Sequence, residues 1–222
     1  MNSKTLFNDI ITCKICPRLV AFRSKIALEK RKSFNNWKYW GKPVPGYGDI
    51  NSKILILGLA PAAHGGNRTG RVFTGDKSAD FLFKCLYHVG LSNQPNSDYR
   101  GDGLKLNGYM TAAVKCVPPG DKPTAEEKTN CETFLEQEFK LLRKVEVVIG
   151  LGKIGFESCL KLIRKKYPIK MKDYKFGHGA RYKLPNELNL IGAYHPSPRN
   201  VNTGKLTFKM MTDLFNNILK EL

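Results

Sequence analysis

Four consecutive aliphatic residues, Ile54-Leu55-Ile56-Leu57, leave this chain few options. A short run of that kind, bounded by Lys53 and Gly58, reads as a strand buried on both faces, which implies helices packed above and below a parallel sheet. The run exits at once into Gly58-Leu59-Ala60-Pro61-Ala62-Ala63-His64-Gly65-Gly66-Asn67-Arg68-Thr69-Gly70-Arg71-Val72-Phe73-Thr74-Gly75-Asp76, dense in glycine and carrying two arginines and an aspartate. Parallel α/β sheets keep their binding sites in loops of this kind, at the carboxyl ends of strands.

Three further strands are expected over Tyr109–Cys116, Val145–Gly150 and Leu188–Tyr194. Helical segments alternate with them: Ala79–Leu91 ending at Gly90, a helix begun by the Thr124/Glu127 capping box, Phe156–Lys166 and Thr207–Leu222. The expected fold is a three-layer α/β/α sandwich around a four-stranded parallel sheet, with three loops converging at one edge. Residues 1–222 show no linker, repeat or low-complexity tract, so one domain is expected. Apolar runs such as Val145–Leu151 are too short to span a bilayer and the start lacks a secretory signal; an intracellular, cytoplasmic protein with no membrane partner follows as the expectation.

Lys and Arg number 37 against 19 Asp and Glu, a net charge of +18. Such a field concentrates polyanions, and nucleic acid is the commonest one inside a cell. A generally solvated lysine-rich surface is the plainer alternative. The stretch Arg31 to Trp40 interleaves cations with Phe34, Trp37, Tyr39 and Trp40, which could contact DNA or simply cover the edge of a core.

Six cysteines are too few for a disulfide scaffold of this length. Cys13-Lys14-Ile15-Cys16-Pro17 forms a Cys-x-x-Cys pair, while Cys116 at a strand end and Cys131 in the next helix can fold back on one another. Two pairs are available for a four-thiolate site, and spacing alone leaves zinc and an iron–sulfur cluster equally open. Cys85, His88 and Cys159 read as core residues on helices. No nucleotide cofactor is expected: the glycine loop has no Gly-Lys-Ser/Thr, and Gly150-Leu151-Gly152 lacks the third glycine of a dinucleotide loop. The strand at Leu188–Tyr194 delivers His195-Pro196-Ser197-Pro198-Arg199-Asn200, where two prolines hold His195 in a rigid loop.

The Gly58–Asp76 loop, the His195–Asn200 loop and the four cysteines, in that order along nearly the whole chain, resemble the family 5 uracil-DNA glycosylases. The resemblance implies the uracil-DNA glycosylase fold and hydrolysis of the N-glycosidic bond of a base flipped out of DNA, leaving an abasic site in base excision repair. It assigns Phe73 to stacking on the base, with Gly58, Ala60 and Ala112 in the substrate pocket; His195 to the base carbonyl; and Asp76 to the cationic sugar or the attacking water. Asp121 is a further catalytic candidate, although the family pattern favours asparagine there. Arg199, Asn200 and Lys205 resemble the loop that enters the minor groove, with Arg68 and Arg71 as further phosphate contacts. Cys13, Cys16, Cys116 and Cys131 match the ligands of a structural [4Fe-4S] cluster. A monomer acting on damaged double-stranded or single-stranded DNA, without a lyase step, is expected.

Family 4 enzymes carry an acidic residue where Leu59 stands and an asparagine where Ala112 stands. Without those polar readers a wrong base leaves nothing buried and unpaired, so a breadth reaching beyond uracil to hypoxanthine or oxidised pyrimidines is implied. The rival expectations are a strict uracil enzyme of the family 4 kind and a non-catalytic DNA-binding iron–sulfur or zinc protein.

Overall fold

The computed structural model describes residues 2–222. The amino-terminal segment forms helices α1 (Ser3–Thr12) and α2 (Pro17–Glu29), separated by the Cys13–Cys16 turn. Pro17 opens α2 at the first helical position, where its missing N–H costs nothing.

The sheet comprises β1 (Tyr47–Gly48), β2 (Ile54–Gly58), β3 (Tyr109–Ala112), β4 (Val147–Leu151), β5 (Arg181–Lys183) and β6 (Asn189–Ala193), in the spatial order β1-β3-β2-β4-β6-β5. The four expected strands are its centre and pair in parallel, with Leu55 opposite Tyr109 and Val148, and Val148 opposite Leu190. The expectation of a purely four-stranded parallel sheet needs correction at the margins: β1 runs antiparallel to β3 and β5 antiparallel to β6. Strands of two and three residues have no period to detect. At the β5 edge, Arg181 and Lys183 face solvent, where charge discourages pairing with another chain.

Successive side chains of the central strands feed two separate cores. Ile54, Ile56, Ile149 and Ile191 pack with α4 (Lys77–His88) and α8 (Phe208–Leu219). Leu55, Leu57, Val148 and Leu190 pack on the other face with α5 (Ala125–Leu141) and α6 (Gly152–Arg164). This is the three-layer sandwich, and the period of two in the strands produces it. The Thr124 capping box starts α5, Thr207 caps α8, and Gly90 follows α4 with φ of 78°. Cys85 and Cys159 are fully buried as core residues; His88 instead lies edge-on to Phe208 on the surface. The glycines of the rejected dinucleotide reading serve packing: a Cβ on Gly150 would lie 2.5 Å from Phe156 Cα, and one on Gly155 only 2.2 Å from the Leu57 carbonyl oxygen. They let α6 lie directly on the sheet.

The long connection from α4 to β3 is fastened to the glycine-rich loop by one buried pair. Arg71 donates to both oxygens of Asp102, at 2.9 and 2.6 Å, and also to Thr74 and Ser97. Burial pushes the Asp102 carboxyl up, but Arg71 and the Asp98 and Leu104 N–H groups more than offset it and hold the group at about 2. Because the folded value lies below the ordinary one, this stabilisation is present at neutral pH and is lost as pH falls from about 4 towards 2. Asp102→Asn should cost about 3–5 kcal/mol in chemical denaturation at pH 7, since it leaves a buried guanidinium short of its counter-charge, and the deficit should shrink towards pH 2. A loss below 1 kcal/mol at pH 7 would refute this role.

Candidate active site

The carboxyl ends of β2, β3 and β6 release three loops onto one edge of the sheet. The first contains the short helix α3 (Gly66–Thr69), and the last contains α7 (Pro198–Asn202), capped by Ser197. Between them lies an open cavity of about 580 Å³ whose walls include Ala62, His64, Gly65, Asp76, Asp121 and Pro198. Residues separated widely in sequence thus meet there.

Asp76 is the N-cap of α4. Its Oδ1 accepts from the Ala79 N–H at 3.0 Å, and a Cβ on Gly65 would lie 2.1 Å from Oδ2. The carboxylate is therefore anchored by one oxygen and seated against bare backbone by the other. Capping and catalysis do not compete here, since the cap fixes the direction of the second oxygen. Burial is the main influence on its pKa and raises it; the Ala79 and Ser78 N–H groups and Arg68 pull in the other direction.

Phe73 adopts φ of 47°, a left-handed conformation that a bulky residue enters only when its surroundings compel it. Its ring lies over Gly58, where a Cβ would approach Cζ to 2.6 Å, and its centroid is 6.0 Å from that of His195. The first and last loops therefore bring an aromatic face and an imidazole together. Desolvation lowers the pKa of His195, with the nearby Asp121 carboxylate opposing it. The shift favours the neutral ring, which can donate from one nitrogen. Asp121 itself is exposed, with φ of 57°, in the loop after β3.

Other expected residues are placed differently. Arg71 spends its donors on Asp102, Thr74 and Ser97 and is 7% exposed, so it has no reach to a phosphate. Arg68 is likewise turned inward: Nε donates to the His64 carbonyl at 2.6 Å, Nη2 donates to that of Gly75 at 2.8 Å, and the guanidinium lies 3.9 and 4.0 Å from the ring centroids of Phe34 and Trp37. Arg71 stiffens the loop from within, which corrects the expectation that it contacts DNA, while Arg68 braces the loop and also lines the cavity. Phe34 and Trp37 consequently clamp Arg68 and are not free stacking platforms. Asn200 Nδ2 donates to the His195 carbonyl at 2.8 Å and braces that loop. Arg199 and Lys205 remain exposed, without a carboxylate partner among the described residues. Ala112 is 1% exposed with its carbonyl held by Lys115 Nζ, and Ala60 packs towards the cysteines. His64, whose Nδ1 lies 3.0 Å from the Tyr39 hydroxyl, lines the cavity but had no distinguishing spacing in the sequence.

Cys13, Cys16, Cys116 and Cys131 surround one small cavity behind the loops, joined there by Leu19, Val20 and Phe134. Arg23 Nη1 donates to Cys116 Sγ at 3.2 Å and Asn130 Nδ2 to Cys16 Sγ at 3.5 Å. Among the described residues no three Cys, His, Asp or Glu side chains are grouped so as to hold a single ion.

The sequence profile of the uracil DNA glycosylase superfamily matches residues 45–222. A type-5 uracil-DNA glycosylase of Thermus thermophilus is 44% identical over 215 residues, covering 96% of this chain and 95% of its own length. One from Pyrobaculum aerophilum is 44% identical over 208 residues, 93% of this chain and 88% of its own. A type-4 enzyme from the same organism is 30% identical over 162 residues, 72% of this chain and 74% of its own. With an aromatic ring, a neutral imidazole and a capped carboxylate gathered at the edge of a parallel sheet, and with likeness of this extent, the chain belongs to the uracil-DNA glycosylase superfamily, in its type-5 branch.

Proposed function

We propose that this protein removes uracil, and other deaminated or oxidised bases, from DNA by hydrolysing the N-glycosidic bond. The observation that carries this reading is the meeting of the Phe73 and His195 rings, 6.0 Å apart between centroids, from loops that lie far apart in the chain, with Asp76 lining a cavity that also takes in Asp121 beside His195. The identities to type-5 uracil-DNA glycosylases support the same reaction.

A flipped base slides onto the Phe73 ring, which Gly58 leaves room to support. As the glycosidic bond lengthens, negative charge moves onto the base and positive charge onto the sugar. His195, half-buried and with its pKa lowered by desolvation, donates an N–H to the base carbonyl and stabilises the leaving anion. Asp76 offers its second oxygen to the cationic sugar or to the water that attacks it. Asp121, in the same cavity as Asp76, opposes the lowering of the His195 pKa and so tunes the donor. Exposed Arg199 and Lys205 suit phosphate contacts of the loop after β6.

The four cysteines suit a [4Fe-4S] cluster. Arg23 is 5% exposed, has no carboxylate within ion-pair distance among the described residues, and has Nε without a partner. An uncompensated buried cation is very costly, and thiolates at the neighbouring cysteines are the available counter-charge. The four sulfurs line one small cavity, as the ligands of a single bound group must. When bound, such a cluster supplies a four-point cross-link between the α1–α2 turn, the end of β3 and α5. Its residues lie behind the base pocket and take no part in bond cleavage.

Four outcomes test these assignments. His195→Ala should slow single-turnover release of uracil by roughly a hundredfold, and near-normal turnover would remove His195 from that role. Asp76→Asn should abolish the acid limb of the wild-type rate profile, which itself should lie above the ordinary carboxylate range because burial raises Asp76; an acid limb unchanged in Asp76→Asn would assign it elsewhere. In a duplex panel carrying uracil, hypoxanthine or xanthine, activity confined to uracil would sink the proposed breadth. For the cluster, protein purified without air should be brown with about four irons and four labile sulfides per chain, whereas one zinc per colourless chain would contradict it.

A further inference from the structure

With Arg68 and Arg71 committed to the interior, the DNA backbone needs other cations near the cavity. Arg31 lines the cavity mouth and is exposed. The chain then runs past exposed Lys38 to Trp40, whose N–H donates to the Arg68 carbonyl at 2.9 Å; Gly41 N–H donates to that of Asn67 at 3.0 Å. These two bonds fix the segment to α3, within the same loop that carries Phe73 and Asp76. At Trp40 two cations meet a single ring: Lys42 Nζ lies 5.6 Å and Arg100 Cζ 5.3 Å from its centroid. Lys42 and Arg100 are both exposed, and neither has a carboxylate partner among the described residues, nor do Arg31 and Lys38. Lys42 and Arg100, held at one ring without a carboxylate partner, repel one another, and an external anion placed between them relieves that repulsion; Arg31 and Lys38 extend the same connection towards the cavity.

We propose that Arg31, Lys38, Lys42 and Arg100 form a phosphate track that carries one DNA strand away from the cavity, past a different wall from the one built by Pro198 and the loop after β6. The proposal rests on the reading of this protein as a DNA enzyme, and it adds a contact surface whose residues come from the α2–β1 and α4–β3 connections. The track holds backbone and reads no base, so it adds salt-dependent affinity without sequence preference. Trp40 supports the track by holding both cations; its own N–H, at Nε1, donates to the Pro43 carbonyl at 3.0 Å.

The experiment measures fluorescence anisotropy of a labelled, undamaged duplex over a range of salt concentrations, so that no base removal is needed for the readout. Each single alanine variant of Arg31, Lys38, Lys42 or Arg100 should lower the slope of log affinity against log salt by about one, and the quadruple variant by about three to four. Arg31→Lys and Arg100→Lys should keep the wild-type slope. A control variant with alanine at Lys140, Arg143 and Lys166, exposed cations beside a groove between the carboxyl ends of α5 and α6, removes comparable charge and should leave the slope unchanged. An unchanged slope in the quadruple variant, or an equal fall in the control, would overturn the track. Failure of the glycosylase reading would register separately, as wild-type protein that binds duplex through these residues and releases no base.

Discussion

The functional edge of the molecule depends on one fully desolvated ion pair. Lys115 Nζ lies 2.6 Å from Glu138 Oε2, with the two side chains 1% and 0% exposed. The three ammonium donors have three partners: Glu138 Oε2, Thr111 Oγ1 at 2.7 Å and the Ala112 carbonyl at 2.8 Å. Glu138 in return accepts from Thr111 Oγ1 at 2.8 Å and from the Gly46 N–H at 2.9 Å. A pair buried to this degree is tolerable only because its hydrogen bonding is complete, and removing either member would strand a charge in the core. The pair joins α5 to the exit of β3 and to the approach to β1. Cys131 lies on the same helix as Glu138, and Cys116 follows Lys115 directly, so the cysteine cavity and the base pocket share one support.

The glycine-rich loop is built around that support by cations that face inward. Arg68 ties the two limbs of the loop together through the His64 and Gly75 carbonyls, and Arg71 ties the loop to Asp102. Such bracing allows Phe73 to remain at a positive φ that the residue would otherwise avoid. The cost of that conformation is met by contacts outside the residue itself. Gly58 and Gly65 are required for a related reason: each lies where a Cβ would collide with a functional side chain, Phe73 and Asp76 respectively.

The central strands, both cores and the cysteine set were legible in the sequence because each leaves a local or repeated mark. Four aliphatics in a row identify β2, a capping box identifies the start of α5, and a Cys-x-x-Cys pair marks one half of a four-thiolate site. The two loops that carry Phe73, Asp76 and His195 were legible, and the structure brings them to one edge of the sheet. The direction of Arg68 and Arg71 was not. Nothing near Arg71 points to Asp102, a partner that is brought to it by the path of a long connection, and nothing near Arg68 reveals that Phe34 and Trp37 will close on both sides of it. Arginine in a glycine loop reads as a phosphate ligand from its type alone; whether it faces in or out is decided by tertiary contacts. The edge strands β1 and β5 escaped for a simpler reason, being shorter than the period that would disclose them.

The same inward bracing bears on base choice. A pocket discriminates strongly when a wrong substrate leaves one of its buried polar groups unpaired, and only weakly when it relies on apolar shape. In this chain the position after Gly58 is Leu59, and the end of β3 is the buried Ala112, so neither places a polar side chain where an incorrect base could fail to satisfy it. On the proposed reading the base meets the Phe73 face, which any flat base can occupy, and the His195 N–H, which any base with a suitably placed carbonyl oxygen can accept. Hypoxanthine and uracil share such an oxygen, whereas adenine and cytosine present an amino group at the position their deaminated forms make a carbonyl. A loop with few polar readers places little penalty on an alternative base, and the proposed breadth follows from what the pocket omits as much as from what it holds.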